Sequence, residues 1–300
     1  MSRILIIGAS GVLGSAAARH FLKDNFAVKC LVRTKNNIVT ELEKAGAKMY
    51  VGDLTDPASI LEACKDTDAI ITAAHGMLSK GKNKSNNVDN IGHKNLIDSA
   101  VKSGIQHFIY TSVTGVSNSH PIDFFRTKYQ IEQYLVKSGL NYTILRLAAF
   151  MEWHVHNLLG KSILEKGKAN ILGAGNNPTN FIAVQDIVHA LKIIILNETY
   201  YKKTIQIGGP ENLSRNEVAK LYGKILKITP RVNHVPAFAL KLLSGMISPF
   251  HEGIGRIMKL SAYGETNDAT MKSTDSIQQF GLRPTTVEEF IKNQVSKSLP

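Results

Sequence analysis

Cysteine is nearly absent from this chain of 300 residues, which holds two, Cys30 and Cys64. Their separation matches no zinc or dithiol spacing, so a disulfide scaffold, a cysteine metal centre and a paired redox motif are all excluded. The histidines show no metal spacing either: His154 and His156 are two apart and would point different ways on a helix. No metal is expected. Long apolar runs are missing, since none reaches the roughly 18 residues that a membrane helix needs. Basic blocks are missing as well. Lys and Arg number 36 against 24 acids, a net charge of +12. They are scattered, with no interleaved aromatics, so no nucleic-acid partner is expected. There is one tryptophan, Trp153. The chain opens directly on strand-like residues, and a cytoplasmic protein without a leader is the expectation.

What is present begins at once. Residues 4–7, Ile-Leu-Ile-Ile, form a continuous apolar run of the kind a parallel strand shows when both faces are buried. Gly8, Gly11 and Gly14 follow in the order Gly-x-x-Gly-x-x-Gly. A helix pattern starts there, rich in alanine, with Val12, Leu13, Ala17 and Phe21 sharing a face. A second strand covers 26–32. Strand, glycine turn, helix and strand make a dinucleotide-binding unit: the first glycine permits the tight turn, the next lets a phosphate approach, and the last lets helix and strand pack. The helix N-terminus then presents N–H groups and a positive dipole end to a pyrophosphate.

The residues after the second strand bear on the adenosine. NAD-binding proteins place an acid there to accept from the ribose hydroxyls. Between Phe26 and Val39 there is none, and Arg33 stands at the strand's end. An arginine suits a 2′-phosphate, so NADP(H) is preferred over NAD(H). A third strand at 47–51 leads to Asp53 and Leu54. Asp53 is read either as an acceptor for the adenine amino group or as a turn former. A fourth strand at 68–74 ends in small residues, Ala73 and Ala74, leaving room for a flat cofactor, and then His75, read as a loop histidine by default with a proton donor as the alternative. A loop rich in Lys, Asn and Ser spans 79–87.

Further on, helix patterns cover 88–101 and 124–137, and strand patterns cover 106–111 and 141–147. Gly92 inside the first helix calls for close packing or a cofactor's approach. The second half is less regular. Residues 167–177 read as a glycine- and asparagine-rich connection, 181–184 as a strand, 185–196 as a helix and 204–207 as a strand. Ser214 with Glu217 makes a capping box for a helix over 216–226. A last helix starts at Thr285 or Thr286. Phe150, Met151 and Trp153 are expected either to wall a substrate cleft or to pack as core. The apolar stretch 235–258 reads as core before a partner or membrane surface, so peripheral membrane contact is not expected.

These residues together resemble an atypical short-chain dehydrogenase/reductase of the NmrA-like group. The pieces that match include Gly-Ala-Ser-Gly-Val-Leu-Gly at 8–14, Leu-Val-Arg at 31–33, Gly-Asp-Leu-Thr-Asp at 52–56, Lys-Tyr-Gln-Ile-Glu at 128–132 and Ile-Gly-Gly-Pro-Glu at 207–211. The resemblance implies an α/β Rossmann-type fold: a doubly wound parallel sheet with helices on both faces and a smaller C-terminal lobe. Residues 1–150 would form the NAD(P)-binding domain, with 180–210 returning to it, and 151–300 the interleaved substrate or partner lobe. It also implies cofactor roles for Gly8, Ser10, Gly11, Val12, Leu13, Arg33, Asp53, Ala73, Ala74 and Lys128; Gly14 and Leu54 complete that set.

Members that act as dehydrogenases use a Tyr to pass a proton, a Lys four residues later to hold the ribose and lower the Tyr pKa, and a Ser or Thr to hold the substrate oxygen. Here the lysine is Lys128 but the tyrosine position holds Phe124. Tyr129 faces about 100° away around the helix. The serine position holds Val113, between Ser112 and Thr114. Lys128, Ser112 and Thr114 are therefore the candidate catalytic groups. Three readings stay open: a reductase of a small-molecule acceptor such as a quinone or carbonyl, a redox sensor without turnover, and an accessory or assembly protein working through a protein partner.

Overall fold

The computed structural model describes residues 2–77, 86–236, 238–239, 245, 248 and 251–298. Most of the loop expected at 79–87 and much of the apolar stretch 235–258 lie outside them. The chain folds as two compact units, one of residues 1–146 with 188–205 and one of 147–187 with 206–300.

The first unit begins with β1 (Arg3–Ile7), α1 (Val12–Lys23) and β2 (Ala27–Val32), the expected strand–turn–helix–strand. There follow α2 (Asn37–Lys44), β3 (Lys48–Val51), α3 (Pro57–Cys64), β4 (Ala69–Thr72), α4 (His93–Lys102), β5 (His107–Val113), α5 (Asp123–Lys137) and β6 (Tyr142–Leu147). The sheet is seven-stranded and parallel, in the order β3-β2-β1-β4-β5-β6, with Lys203–Ile207 on the outer edge beside β6. Register is set by pairs such as Ile6 with Cys30, Ile6 with Ile71 and Ile71 with Ile109. The strand order reverses between β1 and β4, where a doubly wound sheet opens its ligand crevice.

Side chains alternate across each strand. Leu5, Ile7, Ile70, Phe108 and Tyr110 join Ile60 of α3, Leu96 and Ile97 of α4, and Ile131 and Leu135 of α5 in one core. Ile4 and Ile6 point the other way and are also fully buried. Both faces of β1 are thus covered, as its uninterrupted apolar run requires. Cys30 and Cys64 are buried free thiols, and burial pushes their pKa values up to about 12 and about 11.

Several elements differ from the sequence expectation. Helix α2 goes beyond the sequence expectation; Asn36 caps it, its side chain accepting from Val39 N–H at 2.9 Å. The helix expected at 88–101 begins with a π-helical run, Asn86–Gly92, before α4. Gly92 is explained by packing, because a Cβ there would lie 2.7 Å from the Leu54 Cβ. In the second unit a second π-helical run, Glu152–Gly160, leads into the short helix Lys161–Lys166. The connection expected at 167–177 contains a strand, Lys168–Leu172, paired in parallel with Arg231–Val235. Its Ala169 and Ile171 point inward and are fully buried. Met151 is core, packed with Val155, Phe181, Tyr222 and Ile291, whereas Trp153 is exposed. The Ser214–Glu217 capping box is present and starts Arg215–Leu226; Val287–Ser298 is the last helix. No helix of the described residues is long and apolar enough to cross a membrane.

Candidate functional site

The first unit carries a cleft of about 230 Å³ at the carboxyl ends of its central strands. Gly8, Ser10 and Gly11 come from the turn after β1, Leu31, Val32 and Arg33 from the end of β2, and Gly52, Asp53 and Leu54 from the turn after β3. Ala73, Ala74 and His75 come from the end of β4, and Val88 from the π-helical run. Eight of the residues singled out in the sequence therefore share one cavity: Gly8, Ser10, Gly11, Arg33, Asp53, Leu54, Ala73 and Ala74.

The three glycines are held for different reasons. Gly8 has φ +87°, which only glycine adopts without strain, and a Cβ on it would lie 2.8 Å from Ala74 N. Gly14 lies behind the turn, where a Cβ would fall 2.2 Å from the Gly8 carbonyl oxygen. Both glycines are needed by the protein itself. Gly11 is less constrained: its φ is −85°, and an added Cβ would meet one backbone atom, Gly8 O, at a tight 3.3 Å. Gly11 is exposed at the cleft and is the N-cap of α1, with no side chain capping the helix and no acid in its first turn. The turn thus keeps a bare backbone at the cleft, leading into a helix whose first turn has no side-chain cap, an arrangement suited to phosphate oxygens.

Arg33 is exposed at the rim and has no ion pair among the described residues, while nearby Lys35 is held by Glu43 at 3.0 Å. Asp53 uses one carboxylate oxygen for a turn, accepting from the Thr55 N–H at 2.8 Å and the Thr55 hydroxyl at 2.7 Å. Ser59 braces the same turn, its hydroxyl accepting from Asp53 N–H. Leu54 is buried, its carbonyl accepting from the Asn95 amide at 3.0 Å. These contacts fix the turn after β3 against α3 and α4.

The other residues singled out lie outside the cleft lining. Val12 is exposed on α1; Leu13 and Gly14 are buried beneath the turn. Lys128 is buried on α5, with its ammonium donating to the Thr111 carbonyl at 3.1 Å. It lies over the Tyr110 ring at 4.7 Å and the Phe124 ring at 5.8 Å. Burial lowers its pKa, and the Asp89 and Glu132 carboxylates oppose that. Glu132 is in turn held by Arg146 through a two-pronged ion pair, the shorter arm 2.6 Å. Ser112 is buried and its hydroxyl has no partner among the described residues; Thr114 is half-buried.

Of the polar groups beside Lys128, sequence reasoning missed Asp89, while His93 in its helix pattern reads as structural. Asp89 is fully buried, and both its oxygens accept from the Gly76 N–H, at 3.0 and 3.1 Å. His93 is also buried. Its Nδ1 donates to the Val88 carbonyl at 2.8 Å, and its Nε2 accepts from the Thr72 hydroxyl at 3.1 Å. Burial pushes its pKa down to about 4, fixing a neutral ring. The one available signal was an acidic residue near the start of a helix pattern.

A sequence profile of the NmrA-like family matches residues 1–291. The chain is similar to the Photosystem II assembly factor Ycf39 of Guillardia theta, 27% identical across 99% of this chain and 95% of that protein. It is also similar to the phenylcoumaran benzylic ether reductase PT1 of Pinus taeda, 25% identical over 98% of this chain and 99% of the relative. Among solved structures, the Citrobacter triphenylmethane reductase complexed with NADP(H) shares the fold, with a TM-score of 0.76 at 20% identity, covering 97% of this chain and 99% of that one.

Proposed function

The chain belongs to the NmrA-like family, and we propose that it is an NADP(H)-dependent reductase of a small acceptor, a quinone or another carbonyl compound. The observation that carries this reading is the glycine turn at Gly8 and Gly11, which lines the mouth of the cleft and leads into a helix with no side-chain cap. The residues present fit the cofactor. The first-turn N–H groups of α1 would hold its pyrophosphate, Arg33 its 2′-phosphate, and the second oxygen of Asp53 its adenine amino group. Leu31, Val32 and Leu54 would flank the adenine. Lys128 keeps two N–H groups beyond the one given to Thr111, and these would hold the nicotinamide ribose.

Bound NADPH supplies a hydride. The chain's contribution is orientation and charge. Phe124 cannot move a proton, which favours acceptors such as quinones whose reduction draws protons readily from water. A second reading rests on the same residue and on the similarity to an assembly factor: cofactor binding without turnover, with the protein serving a protein partner. The test follows nicotinamide fluorescence of NADPH mixed with the purified protein, with and without a panel of quinones and aldehydes. Loss of signal that needs both protein and acceptor supports the reductase. Tight binding with a stable signal across the panel supports the accessory reading.

A further inference from the structure

We propose that His75 is the proton donor to the acceptor, taking the part that Phe124 vacates. The inference rests on the reductase reading. Phe124 stands on α5 one turn before Lys128, where a proton-passing side chain would otherwise be, and it is buried. Packed edge-on against it is His75, with ring centroids 6.4 Å apart and planes at 80°. His75 lines the cleft and is exposed to it. The only ionisable ring that combines contact with Phe124 and exposure to the cavity is therefore this one, among the described residues.

Its position is fixed rather than left to a free loop. Gly76, the next residue, is buried, and its N–H is held by both oxygens of Asp89. Asp89 thus acts as a positioning residue for the His75 backbone. The charged and titratable groups facing the imidazole are Lys128 of α5, Asp89 of the π-helical run and His93 of α4. Surrounding protein and the Lys128 ammonium lower the His75 pKa, Asp89 opposes them, and His93 stays neutral.

The step balances as follows. The acceptor's carbonyl system gains a hydride from NADPH and its oxygen gains a proton from the His75 imidazolium, a new O–H bond replacing an N–H bond. The acceptor is reduced by two electrons and the nicotinamide oxidised by two. The neutral imidazole left behind is reprotonated from water in the open cleft. The second proton of a quinone comes from water.

The test compares the wild-type protein with His75→Gln by three measurements. Equilibrium NADPH binding is read by fluorescence, histidine ring signals by NMR across pH with and without NADPH, and NADPH oxidation with a soluble naphthoquinone and an aromatic aldehyde. The variant is expected to retain NADPH binding, with any loss under about tenfold, which also shows that it folds. The His75 ring signal is expected to move when NADPH is added. Oxidation is expected to fall at least 100-fold with the aldehyde, in the range typical of a lost general acid. In the wild type the rate should decline as pH rises through the pKa that NMR gives for His75, and the variant's residual rate should be flat. A variant rate within threefold of wild type, or a ring signal that NADPH leaves unmoved, overturns the proposal while leaving the reductase intact. Binding without turnover in the wild type removes the reductase reading, and the role of His75 with it.

Discussion

Gly14 packs so closely on Gly8 that a Cβ at position 14 would lie 2.2 Å from the Gly8 carbonyl oxygen, with the Gly8 carbonyl carbon at 2.7 Å. A methyl group there cannot be absorbed by a side-chain rotation, because both obstacles are backbone. Gly14→Ala should therefore destabilise the fold by about 1–3 kcal/mol or more, the scale of overpacking. Gly11→Ala would meet a single backbone atom, Gly8 O at 3.3 Å, so it should melt closer to wild type than Gly14→Ala while binding NADPH at least tenfold more weakly. Thermal melts of both variants beside NADPH titrations check the pair; equal melting losses would mean that Gly11 serves packing after all.

Arg33 decides between the two nicotinamide cofactors if it meets a phosphate. Charge-assisted hydrogen bonds contribute about 1.5–3 kcal/mol. Arg33→Ala should accordingly weaken NADPH by roughly 10- to 100-fold, at about 1.4 kcal/mol per tenfold, and leave NADH within twofold. Parallel titrations with the two cofactors measure this, and equal losses would remove the basis for NADP preference.

Phe124→Tyr restores the hydroxyl one turn before Lys128. The expected outcome is unchanged NADPH affinity with added reduction of aldehydes. A loss of affinity instead would show that the Phe124 ring packs against the cofactor and cannot carry the extra oxygen.

Acid should loosen the fold through two buried histidines. His93 and His107 have pKa values of about 4, chiefly from burial, below the ordinary value of about 6.5. His107 donates or accepts at Thr143 at 2.8 Å inside the sheet. Both groups are neutral when folded and bind a proton more readily when unfolded. Their contribution is complete above about pH 6.5 and is lost as pH falls from there toward 4. It amounts to about 3 kcal/mol for each group at 1.36 kcal/mol per pKa unit. Urea melts between pH 7.5 and 4.5 should show the decline, and His107→Gln should flatten part of it.

The sequence made the β1–α1–β2 unit legible because three signals agree there: an unbroken apolar run, glycines at a turn and a helical face. The Ser214–Glu217 box was legible because a cap is a local matter. The strand Lys168–Leu172 was not, because its five residues find their partner only at Arg231–Val235, some sixty residues on. The π-helical runs escaped because a hydrogen bond one residue longer than in an α-helix is set by packing in the folded chain and has no composition signal of its own. In the site, glycines and Arg33 announce themselves by type and place. Asp89 does not, since a polar residue in a helical pattern reads as a solvent face until the fold closes over it. Gly92 reads as a fault in a helix until Leu54 is seen against it.

The two buried thiols have a consequence for how this protein meets oxidants. With pKa values of about 12 and about 11, Cys30 and Cys64 hold almost no thiolate at neutral pH, and peroxides and alkylating reagents act on thiolate. They are also the only cysteines in the chain. Oxidative stress therefore has no sulfhydryl trigger here. If the cofactor site works as proposed, a change in which cofactor form occupies it would carry redox state without any thiol, a signal that reverses within one exchange of ligand and needs no reductant to reset it.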